Sequence, residues 1–363
     1  MRRSSGRGHR LTALLAGTAL ALLLAEAVLR IARPARISEI LYPCIYRPDP
    51  VLGFRYAPNA RGVVAGHFEI HNEVETNSLG FYDDEPLPAS EARPRILAVG
   101  DSFTAAMNVE RSEVWTSVLE RELRARGLPG ADVVNLGLDG TGTDVHVALL
   151  REFVPRFRPD AIVLAFFGND VGDVLNGRFT RECHRGYVLS YQTQTQREAL
   201  RARVDAHLAR RLPRALYRHS YLVRLAAAPF LAPLDPYRIR FLQPRRAELG
   251  IDAALRDARR AAWRGLVRQL EDIAATCDCR LLVVPVPPRS QARGSLETWR
   301  RHAGDAALEV VDVLPGMETR LREQGLALSD LYFEHDAHLN ALGNAYYGRA
   351  VADLLAPDPG PAE

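Results

Sequence analysis

A serine, a histidine and a carboxylate able to work together stand in short loops of this sequence, far apart along the chain. Gly100-Asp101-Ser102-Phe103-Thr104 follows directly on the apolar run Ile96-Leu97-Ala98-Val99. A serine at a strand-to-helix turn points its hydroxyl out of the C-terminal edge of a sheet, beside backbone N–H groups that can hold an oxyanion. The pattern is not a G-x-S-x-G elbow, because position 104 is threonine. Glu334-His335-Asp336-Ala337-His338-Leu339-Asn340 lies near the C-terminus. Histidine is the general base that a serine needs, and a neighbouring carboxylate fixes its tautomer. Asn135-Leu136-Gly137-Leu138-Asp139-Gly140-Thr141 offers glycines whose backbone can approach a ligand and present an N–H. Gly168-Asn169-Asp170 offers a carboxamide that can donate to the same oxyanion. Taken singly, each stretch has a plainer reading as a turn, a helix cap or a structural histidine.

The elements around these stretches place them together. From Arg95 onward, short apolar runs alternate with helical periodicity. Residues 96–99, 132–136, 161–167, 280–284 and 308–313 read as five strands, and 110–126, 144–154 and 341–355 as helices. Strands alternating with helices predict an α/β fold, a doubly wound, flavodoxin-like parallel sheet of about five strands. Ligands meet such sheets at the carboxyl ends of the strands, where the serine, glycine and asparagine blocks fall. Over a hundred residues separate the third and fourth strands, far more than one crossover needs. Residues 171–250 therefore read as an inserted helical cap, its far end marked by Pro233, Pro236 and Pro244. Inside it, the arginine-dense stretch 197–224 reads as a solvated helix face, with anionic headgroups or an anionic substrate as alternatives. Residues 32–94 read as a proline-rich linker to position 50, then a small β-rich lead-in to the main domain at 95–356.

In order and position the four blocks resemble the GDSL/SGNH hydrolase superfamily, over about Asn77 to Leu355. The resemblance implies Ser102 as nucleophile and His338 as base, with an oxyanion hole from the Ser102 and Gly140 N–H groups and the Asn169 amide. That family usually carries its aspartate three residues before the histidine, and here His335 holds that place. Asp336, two before His338, is the expected orienting acid, a spacing similar to relatives that act in polysaccharide O-acetylation. The implied reaction is acyl transfer through a serine ester, with no metal or organic cofactor. Expected substrates are an ester-bearing small molecule, a lipid or an acetylated glycan. An O-acetyltransferase acting on an extracytoplasmic glycan is the alternative, and a non-catalytic glycan-binding or scaffold protein a more distant one.

The remaining features bound the setting. The chain has 363 residues, a net charge of +3 and 47 basic residues. All of the basic residues are arginine, which reads as codon usage. So small a net charge with no aromatic-basic module argues against a nucleic-acid partner. Cys44, Cys183, Cys277 and Cys279 form no C-x-x-C pair and have no histidine cluster, which argues against zinc. Four cysteines permit three disulfide pairings, and free buried thiols are the other reading. Arg2, Arg3, Arg7 and Arg10 precede an apolar run from Leu11 that reaches Ile31 with interruptions at Glu26 and Arg30. Spanning a bilayer takes roughly 20 residues. Residues 1–31 therefore read as a signal anchor that holds the domain to the outer face of the membrane through residues 11–31. The alternative is a signal peptide cleaved at Ala25-Glu26-Ala27, giving a secreted enzyme.

Overall fold

The computed structural model describes residues 5–88, 90–230, 236–244, 253–289, 294–304 and 306–356. Arg2, Arg3, Pro233 and the expected end of the insertion at 250 lie outside the described residues. The chain opens with helix α1 (Ser5–Ala32), then a 3₁₀ turn (Ala35–Ile37) and two antiparallel hairpins. These are β1 (Tyr46–Asp49) with β2 (Gly53–Tyr56), and β3 (Arg61–Gly66) with β4 (Ile70–Glu75). The α/β core begins with β5 (Arg95–Gly100), the single turn α2 (Ser102–Ala105), α3 (Trp115–Ala125) and β6 (Asp132–Gly137). It continues with α4 (Thr143–Phe157), β7 (Ala161–Phe166) and α5 (Asn169–Asn176). A long excursion follows: β8 (Thr180–His184), β9 (Tyr187–Tyr191), α6 (Gln194–Ala209), α7 (Arg211–His219), α8 (Tyr221–Ala227) and β10 (Phe241–Leu242). The chain returns through α9 (Ala253–Cys277), β11 (Arg280–Pro285), α10 (Ser295–Ala303), β12 (Glu309–Val310), α11 (Leu314–Glu323) and α12 (Ala341–Leu355).

The central sheet is wholly parallel in the order β12-β11-β7-β5-β6. Counted from its first strand, this is the flavodoxin-like order 2-1-3-4-5 expected from the alternation. Every residue of β5, β6 and β7 is buried, which is why these strands are mainly apolar, Arg95, Asp132 and Asn135 aside: helices cover both faces. α12 packs on α3, with Tyr347 edge-on to Trp115 at 5.3 Å, while α4 packs on α9. Where the order reverses, between β5 and β7, the loops after the two strands part and leave a crevice at their carboxyl ends. Ser102 follows β5 and Asn169 follows β7, so both stand at that crevice.

Several expectations are corrected. The strand expected over 308–313 is only Glu309–Val310, an edge strand paired on one side. The helix expected from residue 110 starts at Trp115, after a 3₁₀ turn at Arg111–Glu113. The 171–250 insertion is not purely helical: β8, β9 and β10 form a three-stranded sheet inside it. Residues 32–50 are not a loose spacer either. Ile37 and Ser38 are buried, Ile40 bridges Ile239, and Leu41 bridges Ala65. Cys44 is disulfide-bonded to Cys183 on β8, and Cys277 to Cys279, so among the described residues no cysteine is free.

Candidate active site

Asp101 begins the site. It caps α2, its carboxylate accepting the Phe103 N–H at 2.9 Å, and it accepts the Asn169 amide at 3.0 Å. The turn is held from below by Asn135, whose amide donates to the Thr104 carbonyl at 2.9 Å. Gly137 on β6 lies so close under Thr104 and Ala105 that any side chain there would strike their backbone. Asp101 is wholly buried, and burial raises its pKa against the hydrogen bonds from Phe103 and Asn169. One buried carboxylate thus fixes both the serine turn and the asparagine.

His338 reaches the serine from the other side. Its loop is pinched by an antiparallel bridge between Tyr332 and Leu339 and by Asn340, whose amide donates to the Asp330 and Tyr332 carbonyls. Glu69, in the turn of the β3–β4 hairpin, accepts the N–H groups of Glu334 and His335. In this setting His338 Nε2 lies 2.8 Å from Ser102 Oγ, and His338 Nδ1 lies 2.5 Å from Asp336 Oδ1. Asp336 also accepts the backbone N–H of His338 at 2.9 Å. His335 makes no such contact; its ring meets His67 edge-on at 6.2 Å. Burial pushes the His338 imidazole down, but the hydrogen bond and charge of Asp336 outweigh it and leave the pKa above its ordinary value. Asp336 is held below the usual carboxylate range, the His338 contacts outweighing its burial.

Of the three expected oxyanion donors, Ser102 and Gly140 line one cavity of about 550 Å³, together with His338 and Asp336, and Asn169 is not among its lining residues. Among the described residues no acceptor takes the backbone N–H of either Ser102 or Gly140. Gly140 has φ +60°, and a Cβ there would strike the Arg181 guanidinium. Asn169 is placed differently from the simple expectation: besides Asp101, its amide donates to Asp173 at 3.0 Å. Asp173 lines the same cavity and is pushed up to about 7, chiefly by burial, with the charge of Asp101 adding to it.

A sequence profile of the GDSL-like lipase/acylhydrolase family matches residues 98–346. The chain belongs to that family. Membership places this GDSL-like chain among ester hydrolases. It is 30% identical over 84 residues to the esterase TesA of Pseudomonas aeruginosa, an alignment covering 23% of this chain and 41% of that protein's length. The crystal structure of TesA superposes with a TM-score of 0.38 at 16% identity, covering 72% of this chain and 97% of that one. Axe2, an acetylxylan esterase from Geobacillus stearothermophilus, gives 0.40 at 16% identity, covering 75% and 98%.

Three groups in this GDSL-like site escaped the sequence reading. Asp139 accepts Tyr56 OH at 2.6 Å and Tyr46 OH at 3.1 Å, and pairs with Arg181 at 2.8 Å. Arg181, from β8, lies over the Phe54 ring at 4.2 Å. Ile40, Leu41, Tyr42 and Pro43, expected to be linker, form a wall of the cavity. No spacing marks these residues, because partners 42 to 93 positions apart meet only in the folded chain.

Proposed function

We propose that this chain is a membrane-tethered serine ester hydrolase working outside the cytoplasm, with Ser102 forming an acyl-enzyme. The continuous contact from Asp336 through His338 to Ser102 Oγ, at 2.5 and 2.8 Å, carries this reading. His338 Nε2 takes the hydroxyl proton as Oγ bonds to the ester carbonyl carbon. Asp336 keeps the other ring proton on Nδ1 and stabilises the imidazolium that forms. The developing oxyanion is met by the N–H groups of Ser102 and Gly140 and by the Asn169 amide. His338 then hands its proton to the leaving alcohol oxygen. Water, deprotonated by the same ring, opens the acyl-enzyme, in keeping with an acylhydrolase family.

The cavity's lining mixes polar and apolar side chains, so it offers hydroxyl-binding groups beside an apolar wall that an acyl group can occupy. Asn108, Asp139, Asp173, Asn176 and Gln243 border it together with Ile40, Leu41, Val64, Met107 and the ring of Tyr42. An acetylated glycan suits that lining. The helix His9–Ala32 is long and apolar enough to cross a membrane by length and composition. Ile40, on the cavity wall, follows eight residues after Ala32, a reach of roughly 27 Å at most. The site therefore serves esters close to the membrane surface. Full-length enzyme in detergent should hydrolyse nitrophenyl acetate and release acetate from acetylated oligosaccharides, and a fluorophosphonate should label Ser102 alone. Ser102→Ala should lower turnover by about a million-fold with the fold intact. Label on another residue, or full turnover by the variant, refutes the assignment.

A further inference from the structure

The excursion carries a face that the catalytic reading does not use. From Ala206 to Phe230 the chain has five arginines and no carboxylate. Arg224 is committed inward, paired with Glu39 at 2.7 Å. Arg210, Arg211, Arg214 and Arg218 have no carboxylate partner among the described residues. On α7, Leu212 and Leu216 stand four apart, so they share one helix face. They are 69% and 50% exposed, and Phe230, just beyond α8, is 87% exposed. Leucines at i and i+4 flanked by arginines make the pattern of a helix lying flat in a membrane interface.

The position of this face identifies what covers it. Glu26, near the end of α1, accepts the N–H groups of Tyr221 and Leu222 at 2.9 Å and the Ser220 hydroxyl at 3.0 Å. Arg30 donates to the His219 carbonyl at 2.6 Å, and its guanidinium lies 5.1 Å from the Tyr221 ring centroid. The junction of α7 and α8 is thus fixed where the apolar helix ends. The apolar stretch before it is exposed from residue 9 to residue 24, as are Val28 and Ile31 beside the junction. A soluble polyanion would satisfy the arginines but would leave Leu212, Leu216 and Phe230 in water. Anionic lipid meets both demands: phosphate oxygens take the guanidinium forks, and the acyl boundary takes the apolar side chains.

We propose that α7 and the Phe230 end of α8 form an anionic-lipid docking face lying in the headgroup layer of the membrane that α1 spans. The inference rests on the reading of α1 as a retained span. With two attachments, the excursion that carries Arg181 and β8 is held at a set angle to the bilayer, so the cavity is oriented as well as tethered.

The test uses the full chain in lipid nanodiscs. Trp115, Trp263 and Trp299 are buried at 2% exposure or less, so a Leu216→Trp variant reports its own surroundings. In discs of brominated phosphatidylcholine and phosphatidylglycerol, the new indole should emit to the blue and be quenched several-fold more than the native tryptophans. Adding Arg211→Glu, Arg214→Glu and Arg218→Glu should abolish that extra quenching while the protein stays in the disc through α1. A water-like, unquenched indole overturns the docking face. Equal quenching in pure phosphatidylcholine overturns its anionic selectivity. A chain that elutes free of discs refutes the span itself, and the docking face falls with it.

Discussion

Asn169 holds one amide between two carboxylates, and that arrangement sets the most specific expectation for a single residue. Its two hydrogens go to Asp101 and Asp173, each at 3.0 Å, so none is left for an oxyanion until Asp173 lets go. Asp173 is held at about 7, chiefly by burial, with Asp101 and Asp144 raising it and Arg181 opposing them. Above that pH its charge both claims the amide and repels the negative oxygen forming beside Ser102. Asp173→Ala should therefore gain turnover over the wild type, and the ratio should widen as pH rises through about 7. A ratio that stays flat between pH 6 and 8 would rule out the competition. His338 gives a second pH signature. A base must be neutral to act, and Asp336 holds the ring above its ordinary pKa, so the acid limb of kcat/KM should lie above about 6.5. Asp336→Asn should lower kcat by about 10⁴ and move that limb to lower pH, which a pH–rate profile reads directly. Ser102, His338 and Asp336, which the proposed chemistry uses, each sit in a short block whose residue types suggested that chemistry in sequence. Asp173 was not legible there, because an aspartate one turn into a helix carries no mark of the amide it binds.

Among the elements, the strands with two covered faces were the easiest to read. β5, β6, β7 and β11 each gave a mainly apolar run ended by glycine or proline, and the loops with Ser102, Gly140 and Asn169 follow the first three. The β8–β9 hairpin was missed because β8, Thr180–His184, is mostly polar and arginine-bearing. Its signal lay in the turn: Arg185 and Gly186 have φ of 53° and 84°, both positive as a two-residue hairpin loop requires. Tyr187-Val188-Leu189-Ser190-Tyr191 after it has strong strand character. That hairpin matters because Cys183 on β8 clamps Cys44 at a separation of 139 residues. Cross-linking across so long a loop restricts the unfolded chain and typically stabilises by about 2–4 kcal/mol. The Cys277–Cys279 bond, two residues apart, closes almost no loop. Replacing Cys44 and Cys183 by alanine should lower the melting temperature clearly and raise KM more than it lowers kcat, since Tyr42 and Pro43 lose their hold on the cavity wall. Replacing Cys277 and Cys279 should do neither. Equal effects from the two pairs, measured by calorimetry and kinetics, would remove the clamp from the account.

At the scale of the whole molecule, the question is whether α1 stays with the enzyme, and the packing of Glu26 supports the proposal that it does. In sequence, Glu26 reads as an interruption of the apolar run and as part of a small-x-small cleavage site. In the folded chain its carboxylate satisfies two backbone N–H groups at the start of α8 and the Ser220 hydroxyl, donors a helix end otherwise leaves open. Cleavage after Ala27 would remove that carboxylate and leave Arg30 without its partner at 2.9 Å. A segment destined for removal has no need to complete the fold it leaves behind. We therefore expect the mature protein to keep α1, with the catalytic domain outside and the cavity a short reach from the bilayer. Expressed in a bacterial host, the protein should survive carbonate washing in the membrane fraction with its N-terminus intact. Glu26→Ala should lower stability by about 1 kcal/mol through the lost cap while leaving ester turnover near wild type in detergent. A wash-released chain beginning at Val28 would refute retention but keep export. A full-length chain found in the cytosol would refute both, and would take the case for a surface glycan substrate with them.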